Sequence, residues 1–294
     1  MEDNILFWGS HGGGYGATFG PVLHFLHYCD QNNKKIVHNC ENPWCDVYKN
    51  TILHNFLLSK SEINENTDLT YKKPKDWAED CFASAGFNRY KTSYNIFKNS
   101  NIKKEIYSYF ENFAIKYDWK LDYEPSKSII IHVRLWDEAP VNLAGANRAP
   151  MAGANQTRFI GEEKLLQLIT HLNKIYKEHE ILLCTTPNEI DISICKNIIK
   201  KTINCRLLNN EPQETLKINN PFNTNDTFER FICGNEELDI WRMMNCDILI
   251  LSPSMFPSIA GFLHNGSSVY YPHFHSNWRH YNDMGYSNEN ILYF

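Results

Sequence analysis

From Ser126 onward, short apolar runs alternate with amphipathic segments, and this alternation restricts the possible folds more than any other feature of the chain. KSIIIHVR (127–134), EILLCTT (180–186), INCRLL (203–208), CDILIL (246–251) and SSVYYP (267–272) are runs of strand length. Between them, GEEKLLQLITHLNKIYKEH (161–179), NEIDISICKNIIKK (188–201), a segment near 235–244 and MFPSIAGFLH (255–264) carry apolar residues at helical spacing. Strands alternating with helices imply a parallel sheet with helices on both faces, so the expected class is α/β. The Glu124-Pro125-Ser126 junction is the expected boundary between an N-terminal domain, 1–125, and a C-terminal domain, 126–294.

The 294 residues suit about two domains at roughly 150 residues each. With 43% hydrophobic and 21% charged residues the chain reads as globular. The charge balance is 29 − 34 = −5, which disfavours a protein that coats nucleic acid but is compatible with one local positive site for a phosphorylated small molecule. No apolar run reaches the roughly 18 residues needed to span a bilayer, so no transmembrane segment is expected. Met1-Glu2-Asp3-Asn4 carries acid where a secretory signal carries base, and the nine cysteines form no CxxC pair. A reducing, cytoplasmic location is the expectation.

The N-terminal part opens as a strand (NILFW, 4–8), a glycine loop, a helix and a second strand (KKIVH, 34–38). The helix is read from Phe19, Val22, Leu23, Leu26 and Cys29, and Pro21 leaves its start open. Residues 39–124 are rich in Asn, Lys and aromatics, with helices expected around 46–58 and 101–117. The Gly-Ala-Asn-rich stretch from Glu138 to Thr157 reads as a long loop.

Three constellations carry candidate chemistry. Gly12-Gly13-Gly14-Tyr15-Gly16 sits between a strand and a helix, where glycines let backbone approach an anion; a ligand-free tight turn is the alternative. It matches neither the dinucleotide spacing nor a P-loop. His132-Val133-Arg134-Leu135-Trp136-Asp137 ends a strand, with His132 and Arg134 on one side of it. A forked guanidinium suits a diphosphate, and an Arg134–Asp137 ion pair closing the turn is the structural alternative. In the third, Leu238-Asp239-Ile240-Trp241 leads through CDILIL to Ser252-Pro253-Ser254. Ser252 and Ser254 suit helix capping or phosphate binding. Asp239 is either an exposed helix acid or a carboxylate able to accept from guanine N1–H and N2–H.

Together these patterns resemble the GDP-fucose-dependent fucosyltransferases of the α1,6 type (core N-glycan and nodulation-factor enzymes) and, more distantly, the α1,2- and protein O-fucosyltransferases. That family's GxGYG loop is GGGYG here, its HVRRxD is HVRLWD, and its late LDI…D…Ser/Thr-x-Ser segment is LDIWRMMNCDILILSPS. The likeness spans residues 9–37 and 127–265. It implies an inverting, metal-independent glycosyltransferase of GT-B-like architecture, two Rossmann-type α/β domains facing a central cleft, the first on the acceptor side. The implied donor is GDP-fucose, with no further cofactor, and the acceptor is a glycan or glycolipid hydroxyl. By the same resemblance Arg134 grips the β-phosphate, His132 lies near the nucleotide and Asp239 reads guanine. Ser252 and Ser254 hold phosphate, while Gly14, Tyr15 and Gly16 form the loop at the donor.

The departures leave other readings open. The family's second arginine is Leu135 here, its following Lys is Glu138, and its downstream Glu falls at Asn142. The base is thereby unassigned, with Asp137 and Glu138 the nearest candidates. Another GDP- or NDP-sugar donor, or a catalytically silent nucleotide-sugar-binding protein, remains open. His273, His275 and His280 have no acidic or Cys partner at diagnostic spacing, so no metal site is expected.

Overall fold

The computed structural model describes residues 4–7, 15–38, 51–61, 92–133, 161–187, 189–208, 215–220, 223–231, 236–273 and 285–294. The chain divides into two compact units, Met1–Trp119 with Asp283–Tyr286, and Lys120–Asn282 with Ser287–Phe294.

In the first unit, β1 (Asn4–Phe7) and β2 (Lys35–His38) pair in parallel, joined through α1 (Tyr15–Gln31). The helix starts well ahead of Pro21 and runs through it. Proline forfeits one ladder hydrogen bond. Burial of Phe19, Val22, Leu23, Phe25, Leu26 and Cys29 outweighs that loss. Three later helices each begin at a hydroxyl. Thr51 caps α2 (Ile52–Lys60), Ser93 caps α3 (Tyr94–Phe97), and Ser100 caps α4 (Asn101–Lys116). Helix α4 buries Ile102, Ile106 and Phe110, one residue per turn. Gly285 and Tyr286 belong here because Tyr94 N donates to Gly285 O at 2.8 Å and the Tyr94 and Tyr286 rings stack at 5.0 Å.

The second unit is a layered α/β domain. Strands β3 (Ser128–His132), β4 (Glu180–Cys184) and β5 (Cys205–Leu207) alternate with α5 (Glu162–Ile175) and α6 (Glu189–Ile199). After a hairpin of β6 (Thr215–Asn220) and β7 (Asn223–Phe231), α7 (Glu236–Asn245) leads to β8 (Ile248–Ile250), α8 (Met255–Leu263), β9 (Ser268–Pro272) and β10 (Ile291–Leu292). The sheet has six strands in the order β10-β9-β8-β3-β4-β5, every pair parallel. One face buries Ile129, Ile131, Ile181, Leu183, Ile248 and Ile250 against Leu165, Leu168, Leu172, Ile192 and Ile198 of α5 and α6. Alternation turns Ile130, Leu182 and Leu249 to the opposite face, where they too are fully buried. Tyr271 Oη and Ser258 Oγ, 3.1 Å apart, join β9 to α8 on that side.

Residues 120–124 are tied to this unit. The Tyr123 hydroxyl donates to Arg242 O, and the Arg206 guanidinium spans Asp122 and Glu180. Two strand features go beyond the sequence expectation. The polar stretch between INCRLL and the helix near 235–244 holds the β6–β7 hairpin, and β10 lies outside SSVYYP as the edge strand. No helix among the described residues is long and apolar enough to cross a membrane.

The amino ends of β4 and β8 are braced by His179 Nε2 and Asp247 Oδ2 at 2.8 Å, and Asp247 also accepts from the Ser267 amide. A Cβ on Gly266 would lie 2.1 Å from Cys246 O and 2.4 Å from Asp247 O, both backbone atoms. Gly266→Ala is therefore expected to destabilise the domain by about 2–3 kcal/mol, read as a lowered urea midpoint at unchanged slope.

Candidate functional site

In an open parallel sheet, ligands collect outside the carboxyl ends of the strands, where the chain reverses its direction of strand addition. Here β3, β4 and β5 are laid down in one direction, and β8, β9 and β10 in the other, starting again from β3. The reversal point lies between β3 and β8.

His132 is the last residue of β3, and Ser252 lies two residues beyond the end of β8. His132 Nδ1 and Ser252 Oγ are 2.7 Å apart across the reversal point. The Phe256 ring lies beside the imidazole, centroids 5.8 Å apart.

Ser254 takes the N-cap position of α8, but its side chain makes no capping bond. Its backbone is held on both sides: its N–H donates to Ser252 O at 2.7 Å, and its carbonyl accepts from Ser258 Oγ at 2.9 Å. Pro257, third in the helix, has no N–H, so the first-turn amides of α8 are those of Met255 and Phe256. A hydroxyl, two helix amides and the His132–Ser252 pair thus gather at one edge. That grouping suits an anionic oxygen.

Asp239 is in the first turn of α7. Because the far end of α7 feeds the start of β8, this first turn stands at the carboxyl edge of the sheet. Cys184, the β4 residue in register with His132, has Asp239 as the charge acting most strongly on it. Asp239 is 6% exposed, and its Oδ1 receives Arg242 Nη1 at 3.3 Å. Burial pushes its carboxyl up to about 7; Arg242 opposes the shift and Glu236 adds to it. A buried acid whose pKa is raised by burial, at the carboxyl edge of a parallel sheet, is a candidate functional residue.

The second unit brings His132 and Ser252 into contact, sets Ser254 immediately after, and puts Asp239 on the same edge. Tyr15 and Gly16 open α1 in the first unit, and the Tyr15 side chain is core: it is buried, with its ring 4.7 Å from that of Phe19. Gly14, Arg134, Asp137 and Glu138 lie outside the described residues, as do His275 and His280. Among the described residues no three His, Cys, Asp or Glu are grouped to hold a metal ion. Two residues were not singled out by sequence. Arg242 had a legible signal, its i,i+3 offset from Asp239, whereas nothing in the sequence marked Phe256.

No protein-family model matches the chain, and no curated protein matches it. Among solved structures it is similar to POFUT1 in complex with GDP-fucose, at 10% identity over 91% of this chain and 97% of that one, with a TM-score of 0.40. It is also similar to ADP-heptose lps heptosyltransferase II of E. coli, at 9% identity over 95% of this chain and 72% of that one, with a TM-score of 0.32. A third similarity is to UDP-GlcNAc 2-epimerase from Neisseria meningitidis bound to UDP-GlcNAc, at 14% identity over 84% and 53% of the two chains, with a TM-score of 0.24. Likeness of this degree identifies neither family nor activity.

The raised Asp239 pKa has a defined sign. The protonated acid is the form the fold prefers, so its contribution is full below pH about 4 and is lost as pH rises through about 7. Asp239→Asn is expected to raise the melting temperature by about 5 °C at pH 8 and to change it little at pH 4. Thermal melts of both proteins at the two pH values check this.

Proposed function

We propose that the protein is a glycosyltransferase that moves fucose from GDP-fucose to a hydroxyl of a glycan or glycolipid, with the donor diphosphate held at the carboxyl ends of β3 and β8. The observation that carries this reading is the His132–Ser252 contact across the reversal point, beside the uncapped start of α8. Glycosyl transfer breaks the bond between the sugar C1 and a phosphate oxygen, so negative charge grows on the departing diphosphate. Donors fixed in advance around that oxygen stabilise the transition state more than the ground state. The Met255 and Phe256 amides and the Ser254 hydroxyl are such groups in this reading, with the His132–Ser252 contact beside them. Asp239, when ionised, accepts from guanine N1–H and N2–H.

Arg134, two residues beyond His132 in sequence, supplies the positive charge in this scheme. The acceptor oxygen attacks C1 opposite the leaving group and gives its proton to a carboxylate, with Asp137 and Glu138 the candidates nearest in sequence. The glycine loop at Gly14 to Gly16 belongs to the scheme through its motif alone.

Calorimetry with GDP, UDP and ADP, paired with a donor-hydrolysis assay on GDP-fucose, tests the reading. The expected result is GDP binding and slow GDP-fucose hydrolysis. Ser252→Ala should weaken GDP about tenfold, and Arg134→Ala should lower transfer at least about 100-fold without loss of fold. UDP binding with none for GDP would remove the guanine role of Asp239. GDP binding with no donor turnover would make the protein a silent nucleotide-sugar binder.

A further inference from the structure

Arg242 lies one helical turn beyond Asp239 on α7, and its Nη1 is 3.3 Å from Asp239 Oδ1. The pair is unlike an ordinary helix-surface ion pair. The side chains are only 18% and 9% exposed, and Arg242 Nε is buried with no hydrogen-bond partner among the described residues. A surface i,i+3 pair adds a few tenths of a kcal/mol and strands no donor. Leaving a buried donor unmade is unfavourable, so helix stability alone does not account for this guanidinium. Its backbone is also pinned, since Arg242 O accepts the buried Tyr123 hydroxyl.

Asp239 can hydrogen-bond in two ways. An ionised carboxylate only accepts, whereas a protonated one also donates. Guanine presents two adjacent N–H donors, which an ionised carboxylate can take. Adenine presents one N–H beside an acceptor nitrogen, which matches a protonated carboxyl. Burial favours the protonated form. Of the charged groups acting on Asp239, Glu236 pushes the same way as burial, and Arg242 is the one that opposes it. Cys184, on the neighbouring β4, has its thiol pushed well up by burial and by Asp239, and so stays neutral.

We infer that Arg242 is a positioning residue that sets base choice: by hydrogen-bonding Oδ1 it favours the ionised, acceptor-only form of Asp239, so that the site takes guanine over adenine. This rests on the reading that Asp239 faces the base.

The test is calorimetry with GDP and ADP at pH 6, 7 and 8 on the wild type, Arg242→Met and Arg242→Lys, each first checked by circular dichroism and thermal melting. The wild type should prefer GDP by about 100-fold or more at pH 8. Arg242→Met should lose GDP affinity at least about tenfold at pH 7, gain relative affinity for ADP, and recover GDP affinity as pH rises. Arg242→Lys, which keeps the charge, should retain most of the discrimination even if Arg242→Met folds poorly. A wild type that selects GDP while Arg242→Met keeps the full ratio at every pH, or while a folded Arg242→Lys loses it, would overturn the role of Arg242, as would a loss of GDP affinity in Arg242→Met that is the same at all three pH values. A wild type that binds neither nucleotide would instead overturn the proposed function, and this inference with it.

Discussion

Strand β3 is paired on both sides, with β4 through Ser128–His132 and with β8 through Ile129–Ile131, and the layout of the second unit follows from that double pairing. A strand hydrogen-bonded along both edges and covered on both faces has no polar surface to offer, which is why Ile129, Ile130 and Ile131 are all buried. Strand addition then proceeds outward from β3 in both directions, and the two halves cover opposite faces with their helices. At the carboxyl edge the ends of β3 and β8 bring side chains from two remote stretches face to face, and His132 and Ser252 are those side chains.

One helix–strand passage carries an acid at each end, and the two acids behave oppositely. Asp247, before β8 at the amino edge, is pushed up by burial, but hydrogen bonds from His179 and Ser267 outweigh this and hold it below the usual carboxylate range. Asp239, at the carboxyl edge, is pushed up to about 7 because burial outweighs its single arginine. Asp247 strengthens the sheet as it ionises, whereas Asp239 weakens the free protein as it ionises. An acid that lowers stability at the edge where ligands gather fits a site kept for binding rather than for folding.

The sheet was legible because buried parallel strands leave an unmistakable mark: SIIIH, EILLC and DILIL are nearly free of polar residues, and α5 shows a clean apolar stripe. The β6–β7 hairpin was not, since its strands TLKINN and NTNDTFERF are rich in Asn and Asp, residues poor in strand propensity. Edge strand β10 is two residues long, too short for any periodicity. At the site, the sequence separately marked His132 and Ser252 as ligand-edge residues, but they are 120 positions apart and only the strand order joins them. Ser254 read equally well as a helix cap, and the structure puts it at the cap position without the capping bond. Tyr15 lay in a glycine-rich motif that drew attention to ligand binding, yet packing gives its ring to the core. Pattern alone does not tell an aromatic that meets a ligand from one that starts a helix inward.

The central claim is that a nucleotide diphosphate binds where β3 and β8 part. Amide hydrogen exchange with and without GDP tests it most directly, because the amides at the start of α8 would be ligands as well as reporters. The account predicts that GDP slows exchange at Met255 and Phe256 and at the end of β3, and leaves the amino edge around His179 and Ser267 unchanged. Protection confined to the amino edge, or GDP binding with no protection at the start of α8, would contradict it.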